Sequence, residues 1–399
     1  MTLTRADITY LVGGKSEESR PFIPFNDLQC EFLNTLSVSL RKDSEAQGYP
    51  DVLTFAFWCR KGNIFRLRDE FQDGRSRLGL GKVFHVAPSN VPVNFAFTYV
   101  FGLLAGNTNY VRLPSKKFPQ VDIICRVLNE VLALPEYKAL QAVSHLFRYD
   151  HQSDLTAQFS AQSQGRVIWG GDETIREIRE SPIQIRGIDL AFSDRYSICC
   201  LGGKTLVAMS DAELDRLATS FYNDTYLMDQ NACSSPHLIL WIGEFAEVAL
   251  AQEKFWGRVT GIVHQRYQVS AKAAVDKLAL FCKNAIELDQ IQKFQVSNTA
   301  LFRIQLGTLP PKIDSIRGNS GYFYEYQTTD LDLVAGIVTS TYQTLTYAGL
   351  EKGYLSDFVL RNRLRGIDRI VPVGSALDMG VIWDGHHVIK SLSRIIDLR

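Results

Sequence analysis

The stretch GLGKVFHVAPSNVPVNFAFTYVFGLLAGNTNYVRLP, residues 79–114, decides the fold. Its first ten residues, GLGKVFHVAP, read as a strand that stops at Pro88. SNVPVNFAFTYVFGLLAGN then turns into an apolar helix, and NTNYVRLP is a second strand. VDIICRVLNEVLAL (121–134) supplies a second helix. Strand, helix, strand, helix predicts a parallel sheet of the doubly wound kind.

The alternation continues outward. HLFRYD (145–150) and GRVIWGGDETIREIRE (165–180) give a strand, then a strand, a Gly-Gly turn and a helix. RYSICCLGGKTLVAM (195–209) reads as two strand-like runs around a second Gly-Gly turn. SDAELDRLATSFYND is a helix with Ser210 and Glu213 spaced for a capping box. HLILWIG (237–243) is a buried strand and FAEVALAQEKFWGRV a helix, so a second α/β region begins near residue 205. Upstream, DLQCEFLNTLSVSLRK (27–42) has helical spacing, and the tail from Gly366 alternates strand-like and polar runs.

A chain of 399 residues is too long for one simple core. Its 43 basic and 43 acidic residues cancel, so bulk charge points to neither nucleic acid nor membrane. The most apolar window, residues 91–106, is short for a membrane span and contains an Asn. The opening MTLTRADITY lacks the pattern of a secretory leader, and seven cysteines are an odd number, so a reduced cytoplasmic protein is expected. No CxxC pair suggests a zinc site, and no metal is expected. LVGGKS (11–16) ends like a phosphate-binding loop, but Thr9 stands where the first glycine belongs.

Four places could carry chemistry. Asn90 lies between a strand and a helix, where it is either a cap or an amide donor to a developing negative charge. Gly170 and Gly171 form a turn of the shape used at dinucleotide phosphates, without the full GxGxxG spacing. Arg112, Ser115, Lys116 and Lys117 follow a strand, either as a solvated end or as a holder of ribose or 2′-phosphate. Cys233, in DQNACSSPH (229–237), lies among polar residues on a connection, whereas Cys125, Cys199 and Cys200 sit in apolar runs and read as core. His237, His386 and His387 are available for a Cys/His pair, but their spacing does not require one.

Taken together and in this order, HVAPSNVP, GLLAGNTNYVRLPSK, RVIWGGDETIREIR, MDQNACSSPH and GIDRIVPVGSALDMGVIWDG resemble the aldehyde dehydrogenase superfamily. Within it the chain is most similar to the LuxC family, the long-chain acyl-CoA reductases of bacterial luminescence, over roughly residues 80–390. The resemblance implies an α/β fold with a Rossmann-type NADP(H)-binding domain over 1–205. Residues 206–399 become a catalytic domain carrying the nucleophilic cysteine, with a C-terminal tail returning toward the cofactor domain. It makes Cys233 the catalytic thiol and Asn90 the oxyanion amide. Arg112 takes the place of the residue on the adenosine ribose, Gly170 and Gly171 the turn near the phosphates, and Glu325 the acid on the nicotinamide ribose.

One departure is informative. Aldehyde-oxidising relatives carry a glutamate in an E-L-G-G-K motif upstream of the cysteine, which activates the hydrolytic water. Here CLGGK puts Cys200 in that place, and the alternative register at AFSDRYS (191–197) lacks a glutamate as well. The expected reaction is therefore reduction of an acyl-CoA to an aldehyde through an acyl-cysteine, with water unwanted. No acid follows Arg112 through Lys117, which favours NADPH over NADH. Two alternatives stand beside this reading. One is an acyl-phosphate or semialdehyde reductase, and the other is a scaffold that accepts an acyl group from an acyl-protein synthetase-type partner without turnover. The resemblance further implies a homo-oligomer.

Overall fold

The structure, a computed structural model, describes residues 8–14, 20–150 and 153–399. Lys15 and Ser16 of the rejected phosphate-loop ending, and most of the opening MTLTRADITY, lie outside the described residues. The chain divides into two compact units, residues 1–193 with 379–399, and residues 194–378.

In the first unit the chain forms β1 (Ile8–Val12), β2 (Ser76–Gly79), β3 (Lys82–Val86), β4 (Thr108–Arg112), β5 (Ser144–Tyr149), β6 (Gly165–Trp169) and β7 (Ile188–Phe192). Six of them make one sheet in the order β1-β5-β4-β3-β6-β7. All its pairs are parallel except β1 with β5. The chain steps outward from β3 through β4 to β5, then returns to the other side of β3 with β6. Strand order reverses between β3 and β6, and in open sheets the crevice at the carboxyl ends of such strands receives ligands.

The opening stretch builds the centre of this unit. Helix Asn94–Leu104 is apolar on every side and buried along its whole length. His85 of β3 ties it to β4, with Nδ1 2.8 Å from Thr98 Oγ1 and Nε2 3.1 Å from Asn109 Oδ1. Gly102 permits this approach, because a Cβ there would collide with Asn109 and His85. Helix Asp27–Lys42 begins with the capping box of Asn26 and Gln29. Gln29 Nε2 then donates to Leu103 O at 2.7 Å, joining it to the central helix.

The second unit carries β8 (Tyr196–Gly202), β9 (Pro236–Ile242), β10 (Ile291–Asn298), β11 (Leu301–Leu306), β12 (Tyr322–Thr328), β13 (Tyr342–Ala348) and β14 (Arg369–Pro372). Their order is β10-β11-β12-β9-β8-β13-β14, and β10 with β11 is its antiparallel pair. β8 is buried at every residue, as a largely apolar strand inside a parallel sheet should be. The capping box expected at Ser210 and Glu213 opens helix Asp211–Thr225.

The tail then rejoins the first unit through β15 (Ile382–Trp383), β16 (His386–His387) and β17 (Ser393–Ile396). β17 pairs antiparallel with β2. Trp58 Nε1 donates to Met379 O at 2.8 Å, and Asn107 Nδ2 to Leu392 O at 2.9 Å.

Two features differ from the sequence reading. The division falls at Ser193/Asp194 rather than near 205, because β8 pairs with β9 and β13 of the second sheet. The run after Gly202, expected as a strand, is helix Gly203–Ala208. Both edges of β8 are already occupied, so its continuation satisfies its backbone groups internally, with Leu206 turned into the core.

Candidate active site

In the first unit, three of the sequence-predicted segments follow neighbouring strands β4, β3 and β6 at their carboxyl ends. Asn90 is exposed in the loop after β3. It is not the cap of the next helix, whose N-cap is Val93. The capping alternative therefore falls away, and the amide makes no hydrogen bond among the described residues. The loop base is fixed, since Ala87 N donates to Arg112 O at 3.1 Å.

Arg112 ends β4. It is buried, and its guanidinium carbon lies 4.7 Å from the centre of the Tyr149 ring. Ser115, Lys116 and Lys117 are exposed beyond it, with Lys116 Nζ over the Phe118 ring at 4.8 Å. After β6, Gly170 N donates to Phe192 O at 3.2 Å, and Gly171 caps helix Asp172–Glu180. A Cβ on Gly171 would meet nothing within 4 Å, so this turn is open to an approaching group. The first helical turn carries Asp172 and Glu173, with Glu173 ion-paired to Arg176. A ligand phosphate at this turn would meet the glycine backbone beside two acids, an arrangement less favourable than a neutral turn.

In the second unit, Cys233 lies half-buried on the connection between helix Asp211–Thr225 and β9. The path of this loop is strongly determined. Asp229 and Gln230 both adopt left-handed backbone conformations, with φ of 50° and 60°. Gln230 is fully buried and uses both ends of its amide. Nε2 donates to Pro236 O and Tyr322 O, each at 3.0 Å, while Oε1 accepts from Gly321 N and Tyr322 N, each at 3.1 Å. Ser197 Oγ donates to Cys233 O at 2.6 Å and accepts from Thr344 N at 3.2 Å. Asn319 Nδ2 reaches Asn231 Oδ1 at 2.9 Å, and Ser320 N reaches Asp229 O at 3.0 Å. The Cys233 loop is thus held from β8, whose Ser197 is itself fixed by β13, and from the turn that leads into β12.

Gln230 and Ser197 are the residues that sequence reasoning missed. The sequence signal for Gln230 was its place three residues before the cysteine; Ser197 carried none, since its partner is 36 residues away.

Two expectations are corrected. His237 does not supply positive charge to the thiol. It is buried, its Nδ1 donates to Gly318 O at 3.0 Å, and its ring stacks on Tyr196. Burial, with Arg317 nearby, pushes its pKa down to about 4, so it is neutral at pH 7. Glu325 is not available to a ribose either. Its carboxylate is buried and ion-paired with Arg303 at 2.7 Å, and it also accepts from Trp241 Nε1 at 2.7 Å, Trp256 Nε1 at 2.8 Å and Gln252 Nε2 at 3.3 Å. With its lone pairs engaged, it is a structural acid within β12.

Cys200 is wholly buried, and desolvation raises its pKa well above the ordinary thiol value. Cys125 and Cys199 are buried too, as their apolar runs implied. Among the described residues no cluster of three or more metal-ligating side chains occurs. No described helix is long and apolar enough to cross a membrane.

The fold is shared with aldehyde dehydrogenases. An NAD-dependent aldehyde dehydrogenase from Sinorhizobium meliloti superposes with a TM-score of 0.65 at 12% identity, over 94% of this chain and 82% of that one. A mutant 1-pyrroline-5-carboxylate dehydrogenase from Thermus thermophilus gives 0.62 at 12% identity, over 92% and 80%. An NAD-dependent benzaldehyde dehydrogenase from Corynebacterium glutamicum gives 0.59 at 11% identity, over 97% and 96%. No curated protein matches the chain in sequence. The acyl-CoA reductase (LuxC) family model matches residues 65–271, just over half of the chain. The protein belongs to the LuxC family of acyl-CoA reductases, and is an oxidoreductase acting between acyl-CoA and aldehyde.

Proposed function

We propose that the protein reduces an acyl-CoA to its aldehyde through an S-acyl intermediate on Cys233, with NADPH as reductant. The observation that carries this reading is the Cys233 loop, a half-buried thiol whose backbone is pinned by Gln230 and Ser197. The Cys233 thiolate attacks the thioester carbonyl, and the carbonyl electrons move onto oxygen. The Cys233 backbone N–H is the donor proposed for that oxyanion, and the family resemblance gives Asn90 the role of an amide donor. Its collapse expels CoA as a thiolate, which takes up a proton and leaves the acyl group on Cys233. A reduced nicotinamide dinucleotide, when bound, supplies the hydride that converts this thioester to aldehyde. With Cys200 in the core, no carboxylate at that position activates a competing water.

The donor set of the first unit fits such a dinucleotide in most respects. Loops from β3, β4 and β6 flank the switch point, the Gly170–Gly171 turn is open, and residues 112–118 contain no acid. Asp172 and Glu173 count against close phosphate contact at the turn. Arg112, Ser115 and Lys116 would hold the adenosine end, with the lysines favouring a 2′-phosphate. Glu325 has no part in this assignment.

The test is acyl-CoA-dependent oxidation of NADPH followed by absorbance, alongside intact mass after acyl-CoA treatment. The expected result is an acyl adduct on Cys233 that NADPH discharges as aldehyde. An adduct that NADPH leaves in place would support the scaffold reading instead. Turnover of acyl phosphate but not acyl-CoA would support the acyl-phosphate reading.

A further inference from the structure

Lys277 lies on helix Ala271–Glu287 and is 3% exposed. Its Nζ donates to Ser320 O at 2.7 Å and lies 5.4 Å from the centre of the Phe302 ring. An ammonium has three protons to donate, and one acceptor with one ring face is thin compensation for burial. No carboxylate pairs with it among the described residues, and burial pushes its pKa down to about 8.

Lys277 lines a cavity of about 510 Å³ together with Asp229, Asn231, Lys272, Arg317 and Ser320. Lys272 pairs with Asp276 and Arg317 with Asp194, while the Asp229 carboxylate accepts from the neutral Tyr267 hydroxyl. The lining thus carries three cations against two anions, and Lys277 is its buried cation without an ion pair among the described residues. The same cavity touches the nucleophile's own loop, through Asp229 and Asn231.

We propose that this cavity binds a phosphate group of the acyl-CoA substrate, with Lys277 as its buried cation. The assignment rests on the acyl-CoA reading, which supplies a substrate whose distal end carries phosphates. It also explains why an uncompensated ammonium is retained beside the nucleophile loop, since a phosphate would be its missing partner. Lys277 Nζ donates to Ser320 O, and Ser320 N donates to Asp229 O at 3.0 Å, which places the cation next to the loop that carries Cys233.

The decisive comparison uses two thioesters of one acyl group, acyl-CoA and acyl-pantetheine, the second lacking phosphates. In Lys277→Met the KM for acyl-CoA should rise about tenfold. The KM for acyl-pantetheine and both kcat values should stay within about twofold. An equal rise for both thioesters assigns Lys277 a structural role and overturns the proposal, as does no change for either. A second arm needs no turnover. Calorimetry with 3′-phospho-ADP on the unmodified protein should show binding, which Lys277→Arg retains and Lys277→Met loses. The Lys277 side-chain pKa, followed by NMR in the unmodified protein, should rise on adding 3′-phospho-ADP. Absence of that rise sinks the proposal even if Lys277→Met fails to fold. If no acyl-CoA is reduced but 3′-phospho-ADP raises the Lys277 pKa, the reductase reading fails while the phosphate site stands.

Discussion

The two units treat their functional loops in opposite ways. In the first, Asn90, Ser115 and Lys116 are exposed on connections after parallel strands, and the strands beneath them do the positioning. In the second, the loop of Cys233 is itself tied down by the Gln230 amide, the Ser197 hydroxyl and the turn before β12. The difference suits the tasks proposed for each. Loops proposed to receive a diffusible dinucleotide can adjust as it binds, whereas a proposed nucleophile gains from a fixed backbone, because misplacement by about 1 Å can cost roughly 10² in rate.

Five changes would break or sharpen this contrast. The largest expected effect is from Cys233→Ser, which should lower acyl-CoA-dependent aldehyde formation by about 10³-fold or more without altering the melting temperature. Full activity in that variant would remove the nucleophile assignment. Next comes Gln230→Leu, which removes the Gln230 partner from two backbone N–H groups and two carbonyls. At about 1–3 kcal/mol for each orphaned group, the loss of stability in urea should be about 3 kcal/mol or more. A neutral result would mean the loop is not held as described.

On the other side of the comparison, Asn90→Ala should cost about 10²–10³ in kcat. Because the residue is exposed, stability should hardly change; a large drop in melting temperature would make it structural instead.

Fourth is acid. Burial lowers His85 in the first unit and His237 in the second to about 4, each below its unfolded value. Their contribution is therefore fully present above pH 6.5 and is lost as pH falls toward 4. At about 1.4 kcal/mol per pKa unit, each amounts to roughly 3 kcal/mol. In the second unit Asp224, buried while accepting from Gly374 N and Ala376 N, is raised to about 6. Its contribution runs the other way, present below the unfolded value and lost as pH rises to about 6. The first unit should thus be the more acid-sensitive, and urea melts at about pH 7 and pH 5 should change less with pH in His85→Gln than in the native chain. The smallest effect is expected from Lys116→Glu with Lys117→Glu, a shift in NADPH-over-NADH preference of about tenfold, read from kcat/KM for each. No shift would withdraw the NADPH argument.

Much of the first unit could be read from residues 79–134, because strand and helix periods alternate there without interruption and the central helix is too apolar to lie on a surface. The second unit was harder. LGGKTLVAM has strand-like composition, yet its latter part is helical because β8 has no open edge for it to join. Glu325 had the right type and neighbourhood for a ligand-holding acid. Only the positions of Arg303, Trp241 and Trp256, brought to it by other strands and a helix, show that its oxygens are taken.

The sequence by itself determined the doubly wound alternation and the polar setting of Cys233. These are local properties, carried by period and composition. Tertiary structure alone decided that His237 is neutral, that Glu325 is spent on an ion pair, that Gln230 holds the Cys233 loop and that Lys277 is buried without an ion pair among the described residues. Each of those depends on burial and on partners distant in the chain, which no local pattern encodes.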